Sequence, residues 1–159
     1  MNIDYRSVIP LKIFLAGLFA MLVVLQTLSF PGQFAYMAQQ SPGDAYLRWP
    51  LTLLVGFLLL CGEVIVVSTW RLLSLVQNNR IFSDAAFVWV DAIVWSIGAA
   101  WAVVAGMSLF VVLNADDPGV PMLLFFIVLG LAVFGLVMIV MRALLRQATK
   151  LQSDMEAVI

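Results

Sequence analysis

Glu63 is a carboxylate set deep inside a long apolar run, Leu51 to about Leu75. It precedes Arg71 by eight residues, roughly 12 Å along a helix. A lone carboxylate at such depth in hydrocarbon is costly unless it is protonated, paired or wetted. Two kinds of chemistry suit it. A proton relay or cation site would need further polar groups at the same depth. A neutral or hydrogen-bonded acid that pins helix packing needs a single partner. The other apolar runs carry no such group at that depth, so the structural reading is favoured. A second constellation joins Asp91 to Arg71, Arg80 or Arg142, any of which could pair with it at one end of the helices and lock neighbours at one depth. Arg142 and Arg146 are four apart and share a helix face, as do Asp84 and Asp91 at seven apart. Asp44, Asp116 and Asp117 could attract a cation, but adjacent Asp residues before Pro118-Gly119 are first of all turn chemistry. A metal site needs more ligands than these, and none is expected.

What is missing narrows the field further. With no histidine, imidazole catalysis and imidazole metal ligation are excluded. The single cysteine, Cys61, lies within an apolar run, so it has no intrachain disulfide partner and reads as a small hydrophobe. There is no glycine-rich phosphate loop, no Cys/His cluster and no nucleophile–base pair. An enzyme is not expected on this inventory, nor a cofactor. A formal charge of -1 offers no basic patch for direct nucleic-acid binding.

The elements that hold these residues follow from composition. Of 159 residues, 64% are hydrophobic and 11% charged, whereas a soluble domain carries about 45–50% apolar and about 25% charged residues. A water-soluble globule is therefore excluded. Four apolar runs are separated by short polar segments: Ile9 to Phe30, ending at Pro31-Gly32; Leu51 to about Leu75; Ala92 to Leu113; and Met122 to Met141. Each is long enough to cross about 30 Å of hydrocarbon as a helix. There is no barrel-type alternation, and only helices and closed barrels satisfy their backbone groups in lipid. The pattern predicts helices at about 9–30, 50–75, 84–113 and 121–146, with a tail at 147–159. Ser83 or Asp84 is placed to cap the third helix, and Pro121 suits a first helical turn. Short second and third connections make the last three spans antiparallel neighbours.

Orientation is read from Lys and Arg alone. Arg6, Lys12, Arg71, Arg80, Arg142, Arg146 and Lys150 fall on one side of the spans and only Arg48 on the other. This places both termini and the Val76–Asp84 loop in the cytoplasm. The Pro31–Trp49 loop and the Asn114–Pro121 turn then lie outside. Arg6 and Lys12 before the first run resemble the basic start of a signal peptide. That run is longer than a usual h-region and lacks a clean cleavage site, so a retained helix is expected.

Three further features concern packing. Gly98, Ala102 and Gly106 form a small-residue ridge that lets backbones approach, within the chain or, less favoured, at a homodimer seam. Trp89 is placed as an interfacial anchor, while Trp95 and Trp101 read as packing or lipid-facing. After the last span, Leu144, Ala148, Leu151, Met155 and Val158 recur at four- and three-residue spacing, with Arg146, Lys150, Asp154 and Glu156 elsewhere around the helix. This is an amphipathic helical extension, too short for a coiled coil. It could lie on the membrane, fold onto the cytoplasmic loop or meet a protein partner.

Several stretches carry a family resemblance: Arg71-Leu72-Leu73, Arg80-Ile81-Phe82-Ser83, Trp89-Val90-Asp91-Ala92-Ile93, and the ending from Met141 to Ile159. Together they resemble the bacterial membrane family of domain of unknown function 2975, in its actinobacterial branch. A basic stretch that often follows Ile-Phe-Ser in that family is replaced here by Ala86-Phe87-Val88-Trp89, so no role of those basic residues carries over. The resemblance implies four membrane helices, no assigned activity, and a frequent neighbour in a small helix-turn-helix regulator. The fold class expected is all-α: an integral-membrane four-helix bundle in the cell membrane, with N- and C-termini cytoplasmic and an amphipathic C-terminal extension. The function expected is that of a regulatory or scaffold protein binding a cytoplasmic partner such as a helix-turn-helix regulator. The alternative is a small transporter or channel subunit, possible as a homo-oligomer, in which Glu63 handles the ion or proton.

Overall fold

The computed structural model describes residues 5–114 and 116–158; of these, the side chains of Tyr5, Arg6 and Asp44 are outside the description. The side chains of Arg6 and Asp44, named above for orientation and for cation attraction, and the final Ile159 thus lie outside the description. Helix α1 (Tyr5–Val24) passes through a π-helical turn, Leu25–Ser29, into α2 (Phe30–Gln40). A 3-10 segment, Pro42–Leu47, leads to α3 (Arg48–Gln77), followed by α4 (Asp84–Asn114) and α5 (Gly119–Val158). Among the described residues, four helical stretches are long and apolar enough to cross a membrane: Ser7–Gln40, Ala45–Gln77, Asp84–Asn114 and Gly119–Val158. The chain is an all-α, multi-pass membrane protein.

The first span does not end at Pro31-Gly32 as its composition suggested. Proline has no N–H and its ring collides with the carbonyl four residues back. The π turn relieves this by widening the helix just before Pro31, and the Phe30 N–H bonds to the Leu25 carbonyl. Helix then continues to Gln40, so much of the expected Pro31–Trp49 loop is helical.

The chain divides into two compact units, residues 1–70 and 71–159. In the first, α1 and α3 run antiparallel. The Lys12 ammonium lies 5.5 Å from the Trp70 ring centre. Leu22 stands within ordinary contact of the space a Cβ would take on Gly62, and Gln26 Nε2 donates to the Gly56 carbonyl at 3.4 Å. Each step forward in α1 meets a step back in α3, the pattern of a helical hairpin. The Gln26 bond ties the two helices, as polar side chains do between membrane helices.

In the second unit, α3 ends in a tight reversal. Asn79 takes a left-handed φ of 53°. The Asn79 N–H bonds to the Val76 carbonyl at 3.1 Å and the Arg80 N–H to the Leu75 carbonyl at 2.9 Å. These two bonds make a Schellman motif, with asparagine where glycine is usual. Ser83 does not use its hydroxyl as an acceptor for the next helix; it donates to the Arg80 carbonyl at 2.6 Å. Asp84 opens α4 and supplies an acid to its first turn, where the helix dipole favours one. At the far end, the Gly119 N–H reaches the Asp117 carboxylate at 3.4 Å, which is the turn role expected of that acid. α4 and α5 then pack antiparallel along most of their length. Val90, Ile93, Ile97 and Val104 are buried on α4, and Leu124, Val128, Gly135, Met138, Arg142 and Leu145 are half-buried at matching three- and four-residue steps on α5.

Candidate functional site

The register of α4 on α5 decides which polar groups meet. Trp101 Nε1 donates to the Val128 carbonyl at 3.2 Å. Nearer the start of α4, Ile97 closes on Gly135, and Asp91 faces Arg142. One turn further back, Phe87 lies beneath the Arg146 guanidinium, 5.9 Å from the ring centre. Advancing along α4 thus means retreating along α5, and the cations at the end of the fourth span stack on successive turns of α4.

Asp91 chooses Arg142 from its three candidate partners. Arg142 Nε stands 2.6 Å from Oδ1 and Nη2 donates to Oδ2 at 2.9 Å. The second contact is a hydrogen bond, while the first is a close ion pair without hydrogen-bond alignment; together they engage the guanidinium side-on, an approach that ammonium does not offer. Both side chains are about a third exposed, 35% and 36%. Arg71 instead lies over Trp89, 5.6 Å from the ring centre, and Arg80 is exposed in the turn. Trp89 therefore serves as a cation platform near the helix ends.

The small-residue ridge does not form the α4–α5 contact. Gly98, Ala102 and Gly106 are all exposed, and a Cβ added to Gly98 or Gly106 would meet nothing within 4 Å. The close approach falls on Gly135 of α5, where an added Cβ would stand 3.2 Å from Ile97 Cγ2. Sequence spacing singled out the ridge because it is periodic within one helix. Gly135 stands among large residues and gives no such signal.

Glu63 is half-buried on α3. Its Oε1 is enclosed and has no hydrogen-bond partner among the described residues. Neither the second carboxylate nor the relay chain that transport chemistry would need stands out beside it, and nearby Cys61 is a buried thiol.

The tail is continuous with the last span. α5 is a single helix of 40 residues, about 60 Å long. Arg146 lies opposite Phe87, close to the first residue of α4, so the last turns of α5 run past the end of α4. Every described residue from Lys150 to Val158 is exposed. Of the apolar stripe, Ala148 is half-buried, while Leu144 is 54%, Leu151 65%, Met155 69% and Val158 86% exposed. Around the helix the stripe stands about 120–180° from Arg142 and Arg146 at about 100° per residue. Arg142 and Arg146 therefore face away from the stripe, while Lys150 stands between, about 80–100° from Leu151 and Val158.

Two cavities border this end of the second unit. One, of about 390 Å³, is lined by Ile139, Arg142, Ala143, Arg146, Gln147 and Lys150. The other, of about 500 Å³, is an apolar groove between α4 and α5. The groove was not legible in the sequence, since it depends on how the two helices are rotated against each other, whereas the basic cavity is lined by one face of α5 alone.

No curated protein and no solved structure matches this chain. The family model described as "Protein of unknown function (DUF2975)" matches residues 32–159. That match takes in the second to fourth spans, the Asp91–Arg142 pair and the whole exposed tail, and on it the chain belongs to the DUF2975 family.

Proposed function

We propose that this multi-pass protein is a membrane-embedded regulatory or scaffold protein of the cell membrane, with both termini cytoplasmic. Its cytoplasmic face, residues 76–84 and 146–159, binds a soluble partner such as a helix-turn-helix regulator. The carrying observation is the projection of α5 beyond the start of α4 with Leu151, Met155 and Val158 exposed. A helix with one apolar stripe, held rigidly at a membrane surface, suits helix-in-groove recognition, where anchors recur at three- and four-residue spacing. The basic residues gathered at this end support the cytoplasmic orientation. The protein acts in this reading by contact rather than by chemistry.

The test is affinity purification from the native host in mild detergent, with the intact chain beside a version ending at Arg146 and an L151D/M155D variant. One soluble protein should travel with the intact chain and be absent from both altered forms. Its rebinding as a purified protein completes the case. Equal recovery with all three forms, or no soluble protein with any, overturns the reading.

The enclosed Oε1 of Glu63 supports a second reading, a small transporter or channel subunit with Glu63 as the ion- or proton-handling group. Glu63→Gln separates the two. It abolishes activity under the transport reading and leaves partner binding intact under the first, whereas loss of the tail does the reverse.

A further inference from the structure

The cavity at the end of α5 adjoins the groove between α4 and α5. Ile139 and Arg142 line both. The cavity is basic: Arg142, Arg146 and Lys150 enter it from successive turns of α5. Asp91 neutralises one of the three but engages Arg142 side-on through Nε and Nη2. The end-on face of that guanidinium, with Nη1, is left for a second anion. Arg146 lies over the Phe87 ring, 5.9 Å from its centre, and an aromatic face takes none of its N–H groups as a carboxylate would. Asp154 and Glu156 lie further along the tail and do not line the cavity.

The groove has the opposite character. Trp95, Gly98, Trp101, Leu131, Leu136 and Ile139 are among the residues that line it. Gly98 is exposed, with open space where a Cβ would stand, which leaves that wall open. From Arg142 to Leu131 the groove follows α5 for about 16 Å at about 1.5 Å per residue, close to one leaflet of a hydrocarbon core about 30 Å thick. Arg142 comes directly after the apolar run Met122–Met141, so the basic cavity sits where hydrocarbon gives way to lipid phosphate.

We propose that cavity and groove together hold one anionic phospholipid, its phosphate on Arg142, Arg146 and Lys150 and an acyl chain along the groove between α4 and α5. Charge selects the occupant: a zwitterionic lipid fits the groove equally but leaves the excess positive charge of the cavity unanswered. R146Q/K150Q leaves the Leu151–Met155–Val158 stripe in place and L151D/M155D leaves every residue lining the cavity in place, so these two variants test the surfaces separately, whereas ending the chain at Arg146 also removes Lys150.

The experiment is native mass spectrometry of the intact protein in mild detergent, titrated with phosphatidylglycerol or with phosphatidylcholine of the same acyl chains. A parallel series adds inorganic phosphate as competitor. One phosphatidylglycerol should be retained with at least tenfold preference over phosphatidylcholine. R146Q/K150Q should weaken phosphatidylglycerol by on the order of 30-fold, as expected for two surface basic residues, and leave phosphatidylcholine unchanged. G98L, which fills the groove without altering charge, should weaken both lipids. Three outcomes overturn the proposal: equal binding of the two lipids, an anionic preference that survives R146Q/K150Q, or full displacement by inorganic phosphate, which would make this a free-anion site. A dimer that is disrupted by G98L and excludes lipid would assign the groove to a second copy instead. Both variants alter exposed positions, and size-exclusion profiles matching the native protein show that they fold.

Discussion

Breaking the Asp91–Arg142 pair should loosen the second unit by a measurable and bounded amount. Exposed ion pairs contribute about 0.2–1 kcal/mol, whereas removing one partner of a buried pair costs about 3–5 kcal/mol. Side-chain exposures of 35% and 36% place this pair between those limits, and solvent screening discounts the Coulomb attraction accordingly. The contact of Nη2 with Oδ2 at 2.9 Å adds a charge-assisted hydrogen bond. The coupling energy should come to about 1–2 kcal/mol, with each single variant costing about 1–3 kcal/mol because it strands a charge. The assay is a double-mutant cycle on D91N, R142Q and D91N/R142Q, read by reversible denaturation in detergent micelles. The double variant should be less destabilised than the two singles added together. R142K should recover only part of the coupling, since an ammonium is a point charge that does not grip both carboxylate oxygens side-on. Additivity to within about 0.3 kcal/mol would show that the pair contributes nothing and would refute the reasoning.

Glycines in α4 and α5 should respond oppositely to substitution. G106A meets open space and should stabilise by up to about 1 kcal/mol through helix propensity. G135V drives its side chain into Ile97 and should lower the thermal midpoint, by less in an I97A background than alone; equal losses in the two backgrounds would show that the contact is not limiting. At the α3–α4 reversal, N79G should be neutral within a few tenths of a kcal/mol and N79V should cost about 1–2 kcal/mol, because Asn79 holds a left-handed φ of 53°. A neutral N79V in thermal unfolding would dismiss the Schellman turn as a constraint. Orientation is tested by cysteine labelling, with Cys61 only 5% exposed and therefore silent. S41C should react with a membrane-impermeant maleimide in intact cells and S153C only after lysis, whereas the opposite pattern would invert the topology.

The amino-acid sequence by itself determined that this chain lives in a bilayer and how many times it can cross. Transfer of an apolar run into lipid depends on that run alone, so the four stretches between Ser7 and Val158 could be counted from composition and length. The turn at Pro118-Gly119 and the amphipathic tail were legible for the same reason, being written within a few consecutive residues. What tertiary structure decided were the pairings. Arg71, Arg80 and Arg142 were equivalent candidates for Asp91 by sequence, and the antiparallel register of α4 on α5 selected Arg142. The periodic ridge Gly98–Ala102–Gly106 came to lie open, while an isolated glycine, Gly135, took the close contact. Pro31 looked like a stop until the π turn before it let the helix pass. The apolar groove exists only because two helices meet at one rotation. Spacing along one helix fixes which residues share a face, but the face that meets a neighbour depends on the rotation and register of both helices, and these are set by packing contacts far apart in the chain.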